Sequence, residues 1–117
     1  MRDVIVYLED ILLAVELIEN SLQGKTKSVF LKNRDLQDVV LRRLEIIGEA
    51  AKHIPSKLRE EFKAIPWKSI AGTRDILIHA YFDINLEKVW LVIEGDLPHL
   101  KKEIKKMLEE LSKNEKK

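Results

Sequence analysis

Residues 86–111 read LEKVWLVIEGDLPHLKKEIKKMLEEL. Within them Leu86, Trp90, Ile93, Leu97, Leu100, Ile104, Met107 and Leu111 follow one another at alternating steps of four and three. A helix with about 3.6 residues per turn returns a side chain to the same face at just those intervals, so the repeat is a buried seam. It crosses Pro98 without losing step. A loop at the proline would break the register, and the stretch therefore predicts one long helix kinked there, or two nearly coaxial pieces. His99 follows the kink and is assigned to the surface.

The same period organises the rest of the chain. Val4, Leu8, Ile11, Val15, Ile18 and Leu22 form the seam of a first helix, which Ile5, Tyr7, Leu12 and Ala14 widen on its flanks. A stripe of that width suits both an internal core and a partner chain. Gly24 ends the helix. Residues 25–34 carry Lys25, Lys27, Lys32 and Arg34 with no acid among them. They read as a solvated loop, with a phosphate contact as the alternative. A second helix is expected from about Arg34 to His53, capped by Asn33 and stopped by Pro55. Leu36, Val40, Leu44, Ile47, Ala51 and Ile54 form its inner face, and Gly48 calls for close approach by a neighbouring helix. His53, in the last turn, suits the helix dipole and reads as structural or solvated. Ser56 to Phe62 is a short amphipathic piece. Pro66 opens a further helix running from about Trp67 to Phe82, with Trp67 and Ile70 as core anchors. Asp83 and Asn85 supply the turn and cap beyond it. The expected fold is an all-α, up-and-down bundle of four or five helices. It forms one domain over residues 1–111, followed by a charged, fraying tail at 112–117.

Composition narrows the chemistry. The absence of cysteine excludes disulfides, thiolate nucleophiles and cysteine–zinc sites. A net charge of +1 gives no global attraction to nucleic acid, so any such binding must come from local patches. No apolar run reaches the length of a membrane span and no signal-peptide pattern opens the chain, which makes a cytoplasmic protein the expectation. The three histidines, His53, His79 and His99, are too scattered for ligand spacing on one helix, so no metal site or cofactor is expected.

One stretch does not fit the pattern of plain amphipathic helices. Arg74-Asp75-Ile76-Leu77-Ile78-His79-Ala80-Tyr81 places a cation, an acid, an imidazole and a phenol in an apolar run. Burying such groups costs free energy unless each has a partner or a task. On a helix, Asp75 and His79 share a face, and a carboxylate accepting from the imidazole fixes its tautomer and raises its basicity. Arg74 and Tyr81 share another edge. Arg74 and His79 lie about 140° apart on an ideal helix, so convergence on one substrate is easiest with a second copy of the helix in a dimer. Two readings stand side by side. The first is metal-free acid–base chemistry on an RNA phosphodiester, with the 2′-hydroxyl as internal nucleophile. The second is a buried ion-pair and hydrogen-bond network holding the bundle together.

At these residues the sequence resembles the HEPN superfamily, specifically the HepT-like minimal toxins. Their signature is an arginine, usually followed by a polar residue, with four to six residues before a histidine; here Arg74 and His79 have four between them, and Tyr81 follows. The likeness extends through Arg43-Leu44-Glu45-Ile46-Ile47-Gly48-Glu49-Ala50-Ala51 and Pro66-Trp67-Lys68-Ser69-Ile70-Ala71-Gly72, and covers nearly the whole chain. Thr73 departs from the methionine common there. The resemblance implies a homodimeric HEPN-type helical bundle with two motifs facing each other, acting as a metal-independent endoribonuclease toxin. It implies Arg74 and His79 as catalytic, Asp75 as orienting, and Tyr81 as a site adenylylated by a minimal nucleotidyltransferase antitoxin. Some members of the family serve only as nucleotide- or partner-binding modules. That leaves a non-catalytic module docking a nucleotidyltransferase as the alternative.

Overall fold

The computed structural model describes the backbone of residues 2–79 and 84–115, and the side chains of residues 3–73 and 84–113. Among these residues every regular element is a helix: α1 (Arg2–Leu22), α2 (Lys27–Lys32), α3 (Arg34–Lys52), α4 (Ser56–Glu61), α5 (Trp67–His79), α6 (Leu86–Leu91) and α7 (Leu97–Glu115). A π-turn, Val92–Asp96, joins α6 to α7, so the helical backbone runs without a break from Leu86 to Glu115. The architecture is the expected all-α, HEPN-type bundle. Four long helices make it up, α1, α3, α5 and the α6–α7 unit, with α2 and α4 as short connectors.

α3 is the centre. It packs along α1 on one side and α5 on the other, while α7 lies against α1. The seam predicted for α1 is buried throughout, and with it Leu36, Val40, Leu44, Ile47, Ala51 and Ile54 of the second helix. Trp67, Ile70, Leu97, Leu100, Ile104, Met107 and Leu111 belong to the same core. Each fully buried aliphatic side chain of this kind stabilises by roughly 1.5–3 kcal/mol, which is what lets three- and four-residue spacing decide the fold.

The ends of the helices are fixed by local chemistry. Gly24 adopts φ +73°, a left-handed conformation that an L side chain rarely takes, and so closes α1. The Asn33 side chain accepts from the Leu36 N–H at 3.0 Å and caps α3, as the sequence predicts. Asn85 does the same for α6, accepting from Lys88 N–H at 3.1 Å. Arg59 of α4 turns back on α3, donating from Nη2 to the Ala51 carbonyl at 2.6 Å and from Nε to the Ile54 carbonyl at 2.9 Å. A guanidinium there satisfies last-turn carbonyls and complements the negative end of the helix dipole.

One expectation needs correction, and another is made specific. Residues 25–34 are not a loop: Lys27–Lys32 is a helix, capped by Thr26, which accepts from the Val29 N–H at 3.3 Å. Its one large apolar anchor, Phe30, is fully buried and packs on Trp90, ring centroids 5.4 Å apart. A single anchor gives no repeat for periodicity to detect. At Pro98 the helix continues as one piece, the first of the two expected outcomes, and a π-turn carries it to the proline. The backbone widens one turn ahead of the proline, with the Leu97 N–H bonded to the Val92 carbonyl five residues back. Pro98 has no N–H and its ring would clash with the carbonyl four residues back, and the wider turn accommodates both. The helix that begins at Trp67 is followed to His79. Its expected end at Phe82 and the turn at Asp83 lie outside the described residues, as do Lys116 and Lys117.

Candidate active site

α5 is positioned from its first turn. Ile65, Trp67 and Ile70 are buried, and the Trp67 indole donates to the Phe62 carbonyl at 3.1 Å, tying the helix to the end of α4. From there α5 packs along α3 and carries Arg74, Asp75 and His79 on continuous helical backbone. That backbone puts Asp75 one turn before His79, the spacing at which a carboxylate and an imidazole on one helix meet. It also keeps Arg74 and His79 five residues apart on a regular helix, about 140° around its axis. The side chains of all three lie outside the described residues, and Tyr81 lies outside them altogether.

The surroundings of the motif are described on the side of α3 and the π-turn, up to Thr73. A pocket of about 130 Å³ lies between α3, α5 and the π-turn, against the residue preceding Arg74. Its floor is apolar, formed by Leu44, Ile47, Ile70, Leu97 and Leu100, and Ser69, Thr73 and Asp96 stand among its lining residues. The Thr73 hydroxyl donates to the Ser69 carbonyl at 2.9 Å, which ties that side chain to its own helix. Sequence reasoning missed Asp96 here. Pro98 signalled a disturbed turn, but only the π-turn itself shows which side chains the extra residue carries towards α5.

The other histidines are placed away from the motif. His99 is exposed, with Nε2 2.8 Å from the Ala64 carbonyl, and so pins the first turn of α7 to the segment before α5. His53 caps α3 and stacks on Tyr7 of α1, ring centroids 4.6 Å apart and planes within 7°. Its Nε2 lies 3.7 Å from Glu49 Oε1. The two rings line a larger, polar cavity of about 320 Å³ between α1 and α3, with Asp10, Arg42, Glu45 and Glu49. This larger cavity is not the one beside the motif, and its ion pairs are surface pairs of small worth. Among the described residues no three histidine, aspartate or glutamate side chains gather in a way that would hold a metal ion. Among them, too, no helix is long and apolar enough to cross a membrane.

Comparison with known proteins places the chain. The family model for the HepT-like ribonucleases matches residues 11–107, which takes in the motif and the packing that supports it. The chain is 43% identical over 101 residues to the "Probable ribonuclease HepT" of Thermococcus cleftensis, covering 86% of this chain and 92% of that one. It is 42% identical over 103 residues to the "Putative RNase TTE0752" of Caldanaerobacter subterraneus, covering 88% and 92%. It is 50% identical over 113 residues to the "Gamma-glutamylcyclotransferase and putative RNase MJ0434" of Methanocaldococcus jannaschii, where it covers 97% of this chain but spans about half, 51%, of that longer protein. No solved structure matches the chain. A helical bundle with Arg74, Asp75 and His79 on one packed helix, and a family match over most of its length, lead to one conclusion: the chain belongs to the HepT-like ribonuclease family.

Proposed function

We propose that the protein is a metal-independent endoribonuclease that acts as a homodimer and is the toxin of a toxin–antitoxin pair. The observation that carries the reading is the membership in a ribonuclease family together with Arg74, Asp75 and His79 on the helical backbone of α5. In this mechanism His79 takes the proton from a ribose 2′-hydroxyl as its oxygen attacks the adjacent phosphorus. The bond to the 5′-oxygen breaks, and a second imidazole, supplied by the other copy of the motif, returns a proton to that leaving oxygen. The products are a 2′,3′-cyclic phosphate and a 5′-hydroxyl. Arg74 neutralises charge building on the non-bridging oxygens, and Asp75, one turn before His79, holds the imidazole in the right tautomer.

The dimer answers a geometric need, because one helix cannot aim Arg74 and His79 at a single phosphate from about 140° apart. The face of α1 supports it: Val6 is 48% and Leu13 57% exposed, two turns apart on the same side. Tyr81 is the proposed regulatory site. An adenylyl group there would set a negative phosphate beside the motif and compete with RNA for Arg74. The donor enzyme is a minimal nucleotidyltransferase antitoxin using ATP.

The test is purified protein with total RNA in excess chelator, beside His79→Ala. Cleavage by the wild type and none by a folded, dimeric His79→Ala supports the reading; persistent cleavage by the variant, or a requirement for added divalent metal, refutes it. For the switch, treatment with the nucleotidyltransferase and ATP is expected to add adenylyl mass at Tyr81 and silence cleavage, and Tyr81→Phe to escape silencing. Mass appearing at Tyr7 instead, or at neither tyrosine, would end the switch.

A further inference from the structure

The cations of residues 25–34 lie on and beside a small, firmly anchored helix, Lys27 and Lys32 on α2 and Arg34 at the start of α3. Lys25, Lys27, Lys32 and Arg34 are all exposed, and residues 25–34 contain no acid. Since the whole chain is only +1, the rest of it is net negative, and this segment is a local concentration of positive charge. Lys27, Lys32 and Arg34 form no ion pair with a described residue, whereas Lys25 donates to the Ser21 carbonyl at 2.7 Å and so belongs to the end of α1. The segment does not behave as a tether. Phe30 is fully buried against Trp90, the Gln37 amide donates to the Phe30 carbonyl at 2.9 Å, and Thr26 and Asn33 cap α2 and α3. Cations on a fixed element lose less entropy on binding a charged strand than cations on a loose one.

The fold puts this ridge at the same end of the bundle as His79. His99 bonds to Ala64, just before α5, and Thr73 shares a pocket with Val92 and Asp96. Along α5 the chain therefore advances as α7, the π-turn and α6 recede, and the C-terminal end of α5 comes level with α6. α6 in turn packs on α2 through Trp90 and Phe30. Only residues 80–85 separate His79 from the start of α6, a reach of roughly 25 Å at full extension.

We infer that α2 and its flanks, through Lys27, Lys32 and Arg34, form a docking ridge for the phosphate backbone of the RNA strand that runs through the motif. The ridge contacts phosphates beyond the one being cleaved, so it sets affinity and position rather than chemistry. Asp35, beside Arg34 in the shallow concavity of this surface, limits how closely a phosphate seats at that end. This inference rests on the ribonuclease reading and deepens it.

The test uses the full chain carrying Lys27→Gln, Lys32→Gln and Arg34→Gln together; Thr26, Phe30 and Asn33, which hold the helix, stay in place. The control removes three exposed cations far along α7, Lys102→Gln, Lys105→Gln and Lys106→Gln. Binding of a short single-stranded oligouridylate is measured in chelator over a series of salt concentrations, each set also carrying His79→Ala to prevent cleavage. With the triple change on α2, the slope of log affinity against log salt becomes shallower by about 2, and KM for cleavage in the His79 background rises with kcat unchanged. The α7 control shifts neither. An unchanged slope in the α2 variant while the wild type still cleaves RNA overturns the ridge alone, and leaves these cations to another partner such as an acidic protein surface. Equal loss in the α7 control overturns it as a mere net-charge effect. A wild type that neither binds nor cleaves RNA overturns both this inference and the ribonuclease reading.

Discussion

α1 and α5 flank the same central helix and put it to different uses. Along α1 the inward positions Val4, Leu8, Ile11, Val15, Ile18 and Leu22 are uniformly apolar and buried. Along α5 the buried positions Trp67 and Ile70 are followed, one turn on, by Arg74. A chain that only needed a core would have continued the first pattern. The difference separates what holds the bundle from what the proposed function uses: α1 and α3 supply buried apolar seams, and α5 departs from that pattern in sequence at the residues proposed for chemistry, Arg74, Asp75 and His79.

The sharpest way to break that comparison is to mutate each helix and read both stability and cleavage. If the proposed mechanism holds, Arg74→Lys lowers kcat by about 10²–10³-fold with a near-normal melting temperature, since an ammonium cannot reproduce the planar fork proposed to neutralise a phosphorane. A melting temperature that collapses along with activity would make the motif a structural network, and α5 no different from α1. Leu8→Ala should do the reverse, costing roughly 2–5 kcal/mol in a denaturant titration because Leu8 is completely buried, while the surviving folded fraction keeps its specific activity.

Smaller effects sharpen the picture at the ends of α3. Asn33→Ala removes the cap that accepts from Leu36 N–H and should cost about 1 kcal/mol, seen as a lower urea midpoint with an unchanged m-value. The smallest effect concerns Lys101, whose ammonium donates to Glu19 at 2.8 Å. That hydrogen bond, followed by the Glu19 charge, raises the Lys101 pKa above its usual value. A raised pKa in the folded state means a contribution present below the unfolded value of about 10.4 and lost as pH rises through the folded one. Glu19→Gln should therefore melt slightly below the wild type near neutral pH, and the gap should close in strongly alkaline buffer. A gap that is constant with pH would assign it to packing instead.

The sequence by itself determined the four long helices, because burial at three- and four-residue steps is a one-dimensional pattern that survives without coordinates. It also showed that α5 carries the unusual groups, since an arginine and a histidine amid Ile76, Leu77 and Ile78 conflict with that pattern. Caps were legible where a single residue closes the helix, Asn33 by its side chain and Gly24 by its left-handed backbone. Only the tertiary structure decided the rest. Within residues 25–34, Lys27–Lys32 becomes a helix because Phe30 finds Trp90, 60 positions away, and a pair so distant leaves no local trace. Pro98 is met by a π-turn, a choice between backbone geometries that differ by one hydrogen-bond partner and leave composition untouched. The alignment of α2, α6 and the end of α5 at one end of the bundle follows from which faces pack together, and free energy of that kind is settled in three dimensions.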